Sequence, residues 1–169
     1  MTTPLTGVLD QVPAPCAYAL LGGAVLLESV LLVGAFVPTL ALLLTAGALA
    51  RAGELSLVPA VVVAAGAAVA GDALGHRTGR VLGVRLRGGC LGRRIPGVAW
   101  RRAEALMERF GGQALFCSRF LPVVRTVTPH LAGATRVPYR RVAAYSVVAA
   151  TLWAGGGVGV GYAVVSAAA

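Results

Sequence analysis

Apolar residues run almost unbroken from Ala14 to Leu27, Ser29 to Ala50, Leu55 to Gly71 and Val142 to Ala169. A helix that crosses a bilayer needs roughly 20 mainly apolar residues. Only the last run is comfortably long, so the others are expected to be short, tilted or re-entrant. The third run closes in Gly71-Asp72-Ala73-Leu74-Gly75-His76-Arg77-Thr78-Gly79-Arg80. There Gly71, Gly75 and Gly79 share one helical stripe, a spacing that allows close packing. Ala99, Ala103, Leu106, Met107 and Phe110 then recur at helical spacing, mostly opposite Arg101, Arg102, Glu104, Glu108 and Arg109. That pattern predicts an amphipathic helix at the membrane interface, with Trp100 near the headgroups and a stop at Gly111-Gly112.

Proline and glycine break the apolar runs in a recurring order. Phe36-Val37-Pro38, Ala46-Gly47-Ala48, Val58-Pro59 and an Ala/Val helix parallel Phe120-Leu121-Pro122, Ala132-Gly133-Ala134, Val137-Pro138 and a second Ala/Val helix. Pro122 and Pro129 each remove a backbone donor and disfavour a straight helix, and Gly133 permits a turn. Pro38 and Gly47 interrupt the first half in the same manner. A broken apolar segment is tolerated at membrane depth where it lines a cavity. Leu55 to Leu74 ends on the arginine-rich side and Val142 to Val165 starts from it, so the two copies have opposite orientations. The expected fold is therefore an all-α membrane protein whose broken segments are bent or re-entrant and whose halves form an inverted repeat, an arrangement that places a site near the midplane.

Composition agrees with a membrane chain: of 169 residues 57% are hydrophobic and 12% charged, and the mean hydropathy of +0.81 is far above that of a soluble domain. The net charge of +9 and pI near 11 come from 15 basic residues, all arginine. Nine of them lie between Arg77 and Arg109, as expected of a cytoplasmic loop under the positive-inside rule rather than of a nucleic-acid-binding surface. Such a loop can also touch anionic headgroups. Cys16, Cys90 and Cys117 show no metal or CxxC spacing and are expected as free thiols. The N-terminus lacks the basic flank of a cleavable signal, so its apolar run is expected to be retained.

The candidate chemistry lies in charges stranded among apolar residues. Arg119 and Arg125 stand inside CSRFLPVVRTVTPHLAG, although an arginine near the bilayer centre costs about 2.5 to 3.5 kcal/mol on insertion scales. Three roles are open to them, of which two are binding a lipid phosphate through the planar, permanently charged guanidinium fork and pairing structurally with Glu28 or Asp72. Snorkelling to the interface is the third. Six residues apart, they would not align on a straight helix, but a bend at Pro122 would converge them. Glu28, the one acid in its run, is either a proton carrier or a counterion. Asp72 is a structural or interface residue, or part of a proton relay. His76 and His130 have no companion ligands and are read as packing or hydrogen-bonding residues. No metal cluster, phosphate-cradling loop or hydrolase triad is evident, so neither a cofactor nor a metal is expected and the chain is read as a non-enzyme. Gly155 with Gly159 and Gly157 with Gly161 form small-xxx-small pairs, expected to pack within the chain, with a homodimer seam as the other reading.

These blocks resemble the DedA family, whose shared region is also called the VTT or SNARE-associated Golgi protein domain. Glu28, ten residues before Pro38, followed by Ala46-Gly47, is similar to the first re-entrant motif of that family. GDALGHRTGRVLG resembles its glycine-rich segment, and SRFLPVVRTVTPHLAG its second motif; Trp153 and Gly161-Tyr162 also fit. The resemblance covers residues 20 to 162. Where members often have Pro-Gly-acid this chain has Pro38-Thr39-Leu40, and His76 stands where an aromatic residue is common. The resemblance implies a multi-pass, all-α protein of the bacterial inner membrane with two opposed re-entrant hairpins in an inverted repeat, which moves lipids between leaflets. Its bacterial relatives are linked to undecaprenyl phosphate or phospholipid translocation, often dependent on the proton motive force.

The resulting expectation is a single membrane domain over residues 14–165, preceded by a short segment 1–13 and followed by a tail 166–169. Residues 14–75 form the first repeat, 76–109 the basic loop with its amphipathic helix, and 110–165 the second repeat. Arg119 and Arg125 would bind the phosphate of an anionic lipid, and Glu28 and Asp72 would supply charge balance or protonation. Pro38, Gly47, Gly71, Pro122, Pro129 and Gly133 would shape the re-entrant elements. The competing classes are a proton- or cation-coupled small-solute transporter and a non-transporting membrane scaffold.

Overall fold

The computed structural model describes residues 13–31, 39–83, 85–90, 93, 96–121 and 123–168. Pro38 and Pro122, the two prolines expected to break the apolar segments, lie outside the described residues. The described residues form helices α1 (Ala14–Leu31), α2 (Thr39–Ala52), α3 (Leu57–Leu82), α4 (Arg85–Gly88), α5 (Gly97–Phe110), α6 (Ala114–Ser118), α7 (Val124–Ala134) and α8 (Tyr139–Ala168). A 3-10 turn, Gly111–Gln113, joins α5 to α6, and there is no strand among the described residues.

Helix length sorts these elements. With 26 and 30 residues, α3 and α8 are long and apolar enough to cross a membrane. At 1.5 Å per residue they extend about 39 and 45 Å. With 14 and 11 residues, α2 and α7 reach only about 21 and 17 Å, short of the ~30 Å hydrocarbon core. α1, with 18 residues, lies between. Glycine ends α2: Gly53 has φ +85°, and the N–H groups of Glu54 and Leu55 return to the Leu49 carbonyl at 3.1 and 3.3 Å.

The short helices lie against the long ones, α2 on α8 and α7 on α3, while α1 packs on α3 and α3 on α8. Glycine makes both crossings close. A Cβ added to Gly47 would strike the Val158 backbone, and one added to Gly161 the Leu44 backbone. Likewise a Cβ on Gly133 would strike the His76 backbone, and one on Gly79 the His130 backbone. Gly47 and Gly133 were expected as breaks. Both instead lie inside continuous helices, because here the missing side chain serves helix–helix contact rather than a turn. Pro129 also sits within α7 without ending it, and the chain turns at Thr135-Arg136 instead. Gly71 and Gly75, on the expected stripe, press on Ser29 and on the His130 ring with Pro129. Of the α8 pairs, Gly157 and Gly161 face α2, whereas Gly155 and Gly159 face open space.

The amphipathic helix is present as α5, with Ala99, Trp100, Ala103 and Met107 buried and Arg101, Arg102, Glu108 and Arg109 exposed. Trp100 is 3% exposed and packs with Ala99, Ala103, Val124 and Val127. The apolar face of α5 meets α7, so the protein covers the ring that a membrane-surface helix would give to lipid. Arg77 and Arg80, counted with the basic loop, are still on α3.

Candidate functional site

The charges stranded in the apolar sequence meet inside the helices. Arg119 follows α6 in a helical backbone conformation, and Arg125 is the second residue of α7. Between them Val123 has φ 67° and ψ −45°, a conformation that a β-branched residue rarely adopts. This turn lets two arginines six residues apart reach the same side chain: the Arg125 and Arg119 guanidinium carbons lie 4.8 and 6.0 Å from the Trp153 ring centroid.

Each arginine takes one carboxylate. Arg119 donates to Asp72 Oδ2, which also accepts from the Ser146 hydroxyl. Arg125 donates to Glu28 Oε1 and, at 3.3 Å, to Thr39 Oγ1. Asp72, Glu28 and Arg119 are buried and Arg125 is nearly so. Among the described residues no buried side-chain nitrogen or oxygen lacks a hydrogen-bond partner. That completeness matters in a low-dielectric interior, where an unpaired charge is strongly unfavourable. Glu28 comes from α1, Thr39 from α2, Asp72 from α3, Arg125 from α7, and Ser146 and Trp153 from α8. Gly71 makes this possible, because its contact with Ser29 draws α1 and α3 together at the level of the two acids.

Glu28, Asp72, Arg119 and Arg125 are thus brought together, and the pairing left open in the sequence takes a definite form: Asp72 with Arg119, Glu28 with Arg125. Asp72 is buried. His130 is also buried, its Nδ1 at 2.8 Å from the Thr126 carbonyl oxygen, and His76 Nε2 lies 2.9 Å from that of Val137. Both histidines therefore hydrogen-bond to backbone. Among the described residues no three His, Cys, Asp or Glu side chains gather as metal ligands. Thr39, Ser146 and the packing role of Trp153 are additions to the sequence reading. The signal available was a polar residue at the start of α2 and one within the apolar run of α8. Leu40, where the resemblance sets an acid, is 56% exposed and turned away from the site, whereas Thr39 faces it.

An apolar cavity of 390 Å³ lies between α1 and α2, lined by Leu21, Ala24, Leu42, Ala46 and Leu55 among others. Of its lining residues, Ala24 stands one helical turn before Glu28 on α1.

Two helices of membrane length, two shorter ones against them and a buried arginine–carboxylate quartet fit an integral membrane protein. The VTT domain family matches residues 37–163. Protein DedA of Escherichia coli (strain K12) is 35% identical over 138 residues, covering 80% of this chain and 63% of that protein. The inner membrane protein YghB of the same strain is 34% identical over 137 residues, covering 80% and 62%. A membrane protein of Mycobacterium tuberculosis, Rv2637, is 35% identical over 157 residues, covering 88% and 69%. The chain belongs to the DedA family of membrane proteins, which carry the VTT domain. It spans a little under two thirds of the length of DedA and YghB. No solved structure gives a significant match.

Proposed function

We propose that this protein moves an anionic lipid, such as undecaprenyl phosphate or a phospholipid, between the leaflets of a bacterial inner membrane without converting it chemically. The observation that carries this reading is the buried quartet of Arg119, Arg125, Glu28 and Asp72. Its two cations face two anions that a phosphate can replace. Guanidinium binds phosphate and carboxylate through the same planar donor fork, so a headgroup exchanges for a carboxylate without a change of geometry. The released Glu28 or Asp72 balances its charge by taking a proton, which gives the cycle its dependence on the proton motive force. The 390 Å³ apolar cavity beside α1 suits a lipid chain better than a small polar solute.

In this reading α2 and α7, too short to cross, are the re-entrant segments, and the two glycine crossings are halves of an inverted repeat. The chain is multi-pass, the Arg77–Arg109 segment faces the cytoplasm, and a homodimer would use the open Gly155 and Gly159 face.

The test is headgroup translocation in proteoliposomes carrying undecaprenyl phosphate or phospholipid, with and without a pH gradient. Wild type moves lipid, whereas Arg125→Ala and Arg119→Ala, checked for fold by circular dichroism, do not. Normal movement by both variants would sink the proposal. Solute uptake driven by the gradient with no lipid movement would assign the quartet to a small-solute carrier.

A further inference from the structure

Two guanidinium groups within reach of one indole ring raise the question of what holds them once their carboxylates let go. Trp153 is partly buried on α8 and packs against two apolar clusters, one with Ala154 and Val158, the other with Val25, Ala68 and Ala150. Its ring is therefore fixed by the scaffold and not by the arginines. Both guanidinium carbons lie within the roughly 6 Å over which a cation is attracted to an aromatic face, and indole attracts most strongly.

The two kinds of contact use different parts of the guanidinium. Carboxylates and phosphates engage its N–H edge, whereas an aromatic ring engages its face. In the carboxylate-paired protein the ion pairs already hold the guanidinium groups, so the ring contact counts for most once a carboxylate has left and phosphate occupies the edge. Without an anchor, two like charges in an apolar interior would repel each other when a carboxylate leaves.

We infer that Trp153 is a positioning residue for a phosphate anion: its ring holds the Arg119 and Arg125 guanidinium groups in register while their edges pass from carboxylate to phosphate. This rests on the translocase reading for its substrate class, but it can be tested by binding alone.

Fluorinated tryptophans, introduced at position 153 only, weaken the negative face of the ring while nearly preserving its shape. Binding of farnesyl phosphate and of inorganic phosphate to the full chain in detergent is measured by calorimetry for wild type, mono-, di- and trifluoro-Trp153 and Trp153→Leu, alongside melting temperature. The expected result is a Kd that weakens stepwise with fluorine content, by on the order of tenfold at the end of the series, with an unchanged melting temperature. A grade seen with both probes assigns the site to phosphate itself. A grade with farnesyl phosphate alone assigns it to lipid-borne phosphate, and either supports the role. A flat series, or a melting temperature that falls in step with fluorine content, overturns it. Graded binding without lipid movement in vesicles would refute the translocase and leave Trp153 its role; lipid movement with a flat series would do the reverse. If neither probe binds wild type, both fall.

Discussion

The α2–α8 and α7–α3 crossings are built alike and furnished differently. Gly47 meets Val158 and Tyr162, four residues apart on α8, and Gly133 meets His76 and Arg80, four apart on α3. In return Gly161 meets Leu44, three residues before Gly47, and Gly79 meets His130, three before Gly133. One turn earlier on the long helices, Gly157 faces Leu43 and Gly75 faces His130 with Pro129. The residues met are Leu43, Leu44, Val158 and Tyr162 in one crossing, and Pro129, His130, His76 and Arg80 in the other, mostly through their backbone atoms. Glycine spacing therefore carries the contact, and polarity is free to vary around it. The charges gather near the second crossing: Asp72 is on α3, Arg125 on α7 and Arg119 just before it. The first contributes Thr39 and Trp153.

The largest effect should fall on the charged side of this comparison. Asp72→Asn leaves Arg119 buried beside a neutral amide and should destabilise the protein by about 3 to 5 kcal/mol, read from denaturation in detergent. A change below about 1 kcal/mol would mean that Arg119 finds another anion or reaches solvent.

Next come the glycines shared by both crossings. Gly47→Ala and Gly133→Ala each push a Cβ into facing backbone and should cost about 1 to 3 kcal/mol, and by similar amounts. If only one of the two variants lost stability, the crossings would not be equivalent. His130→Leu sharpens the point, since Leu44 stands at the matching place. The exchange should cost less than about 1.5 kcal/mol, and a larger loss in the same assay would give the imidazole a structural role that its bond to Thr126 does not explain. Smallest of all, Gly155→Ala faces open space and should be neutral or stabilise α8 by up to about 1 kcal/mol. A fall in stability, or a change in oligomeric mass, would show that another surface lies on it.

Much of the site could be read from lone charges in apolar runs. Glu28, Asp72, Arg119 and Arg125 stand out because an ionised side chain in such surroundings needs a partner or a purpose. Which acid takes which arginine could not be read, because the backbone turn at Val123 sets the reach of both. Thr39 and Ser146 carry no such signal: a hydroxyl is common in apolar helices, and only the fold sets these two beside Arg125 and Asp72. The glycine stripe on α3 was legible from its four-residue spacing. Gly47 and Gly133 were misread as breaks because a glycine near a proline signals a turn and a helix contact equally well. Amphipathicity shows that α5 has an apolar face, but not that Val124 and Val127 of α7 cover its Trp100.

The central claim is that the arginine–carboxylate pairs serve exchange with phosphate rather than holding the fold together. Replacing a whole pair tests this most directly, since exchanging a buried ion pair for apolar residues of similar volume is often neutral or stabilising. The measurement is lipid translocation and denaturation midpoint of the double variant Arg119→Met/Asp72→Leu. The account predicts a protein as stable as wild type that moves no lipid; translocation at the wild-type rate would contradict it.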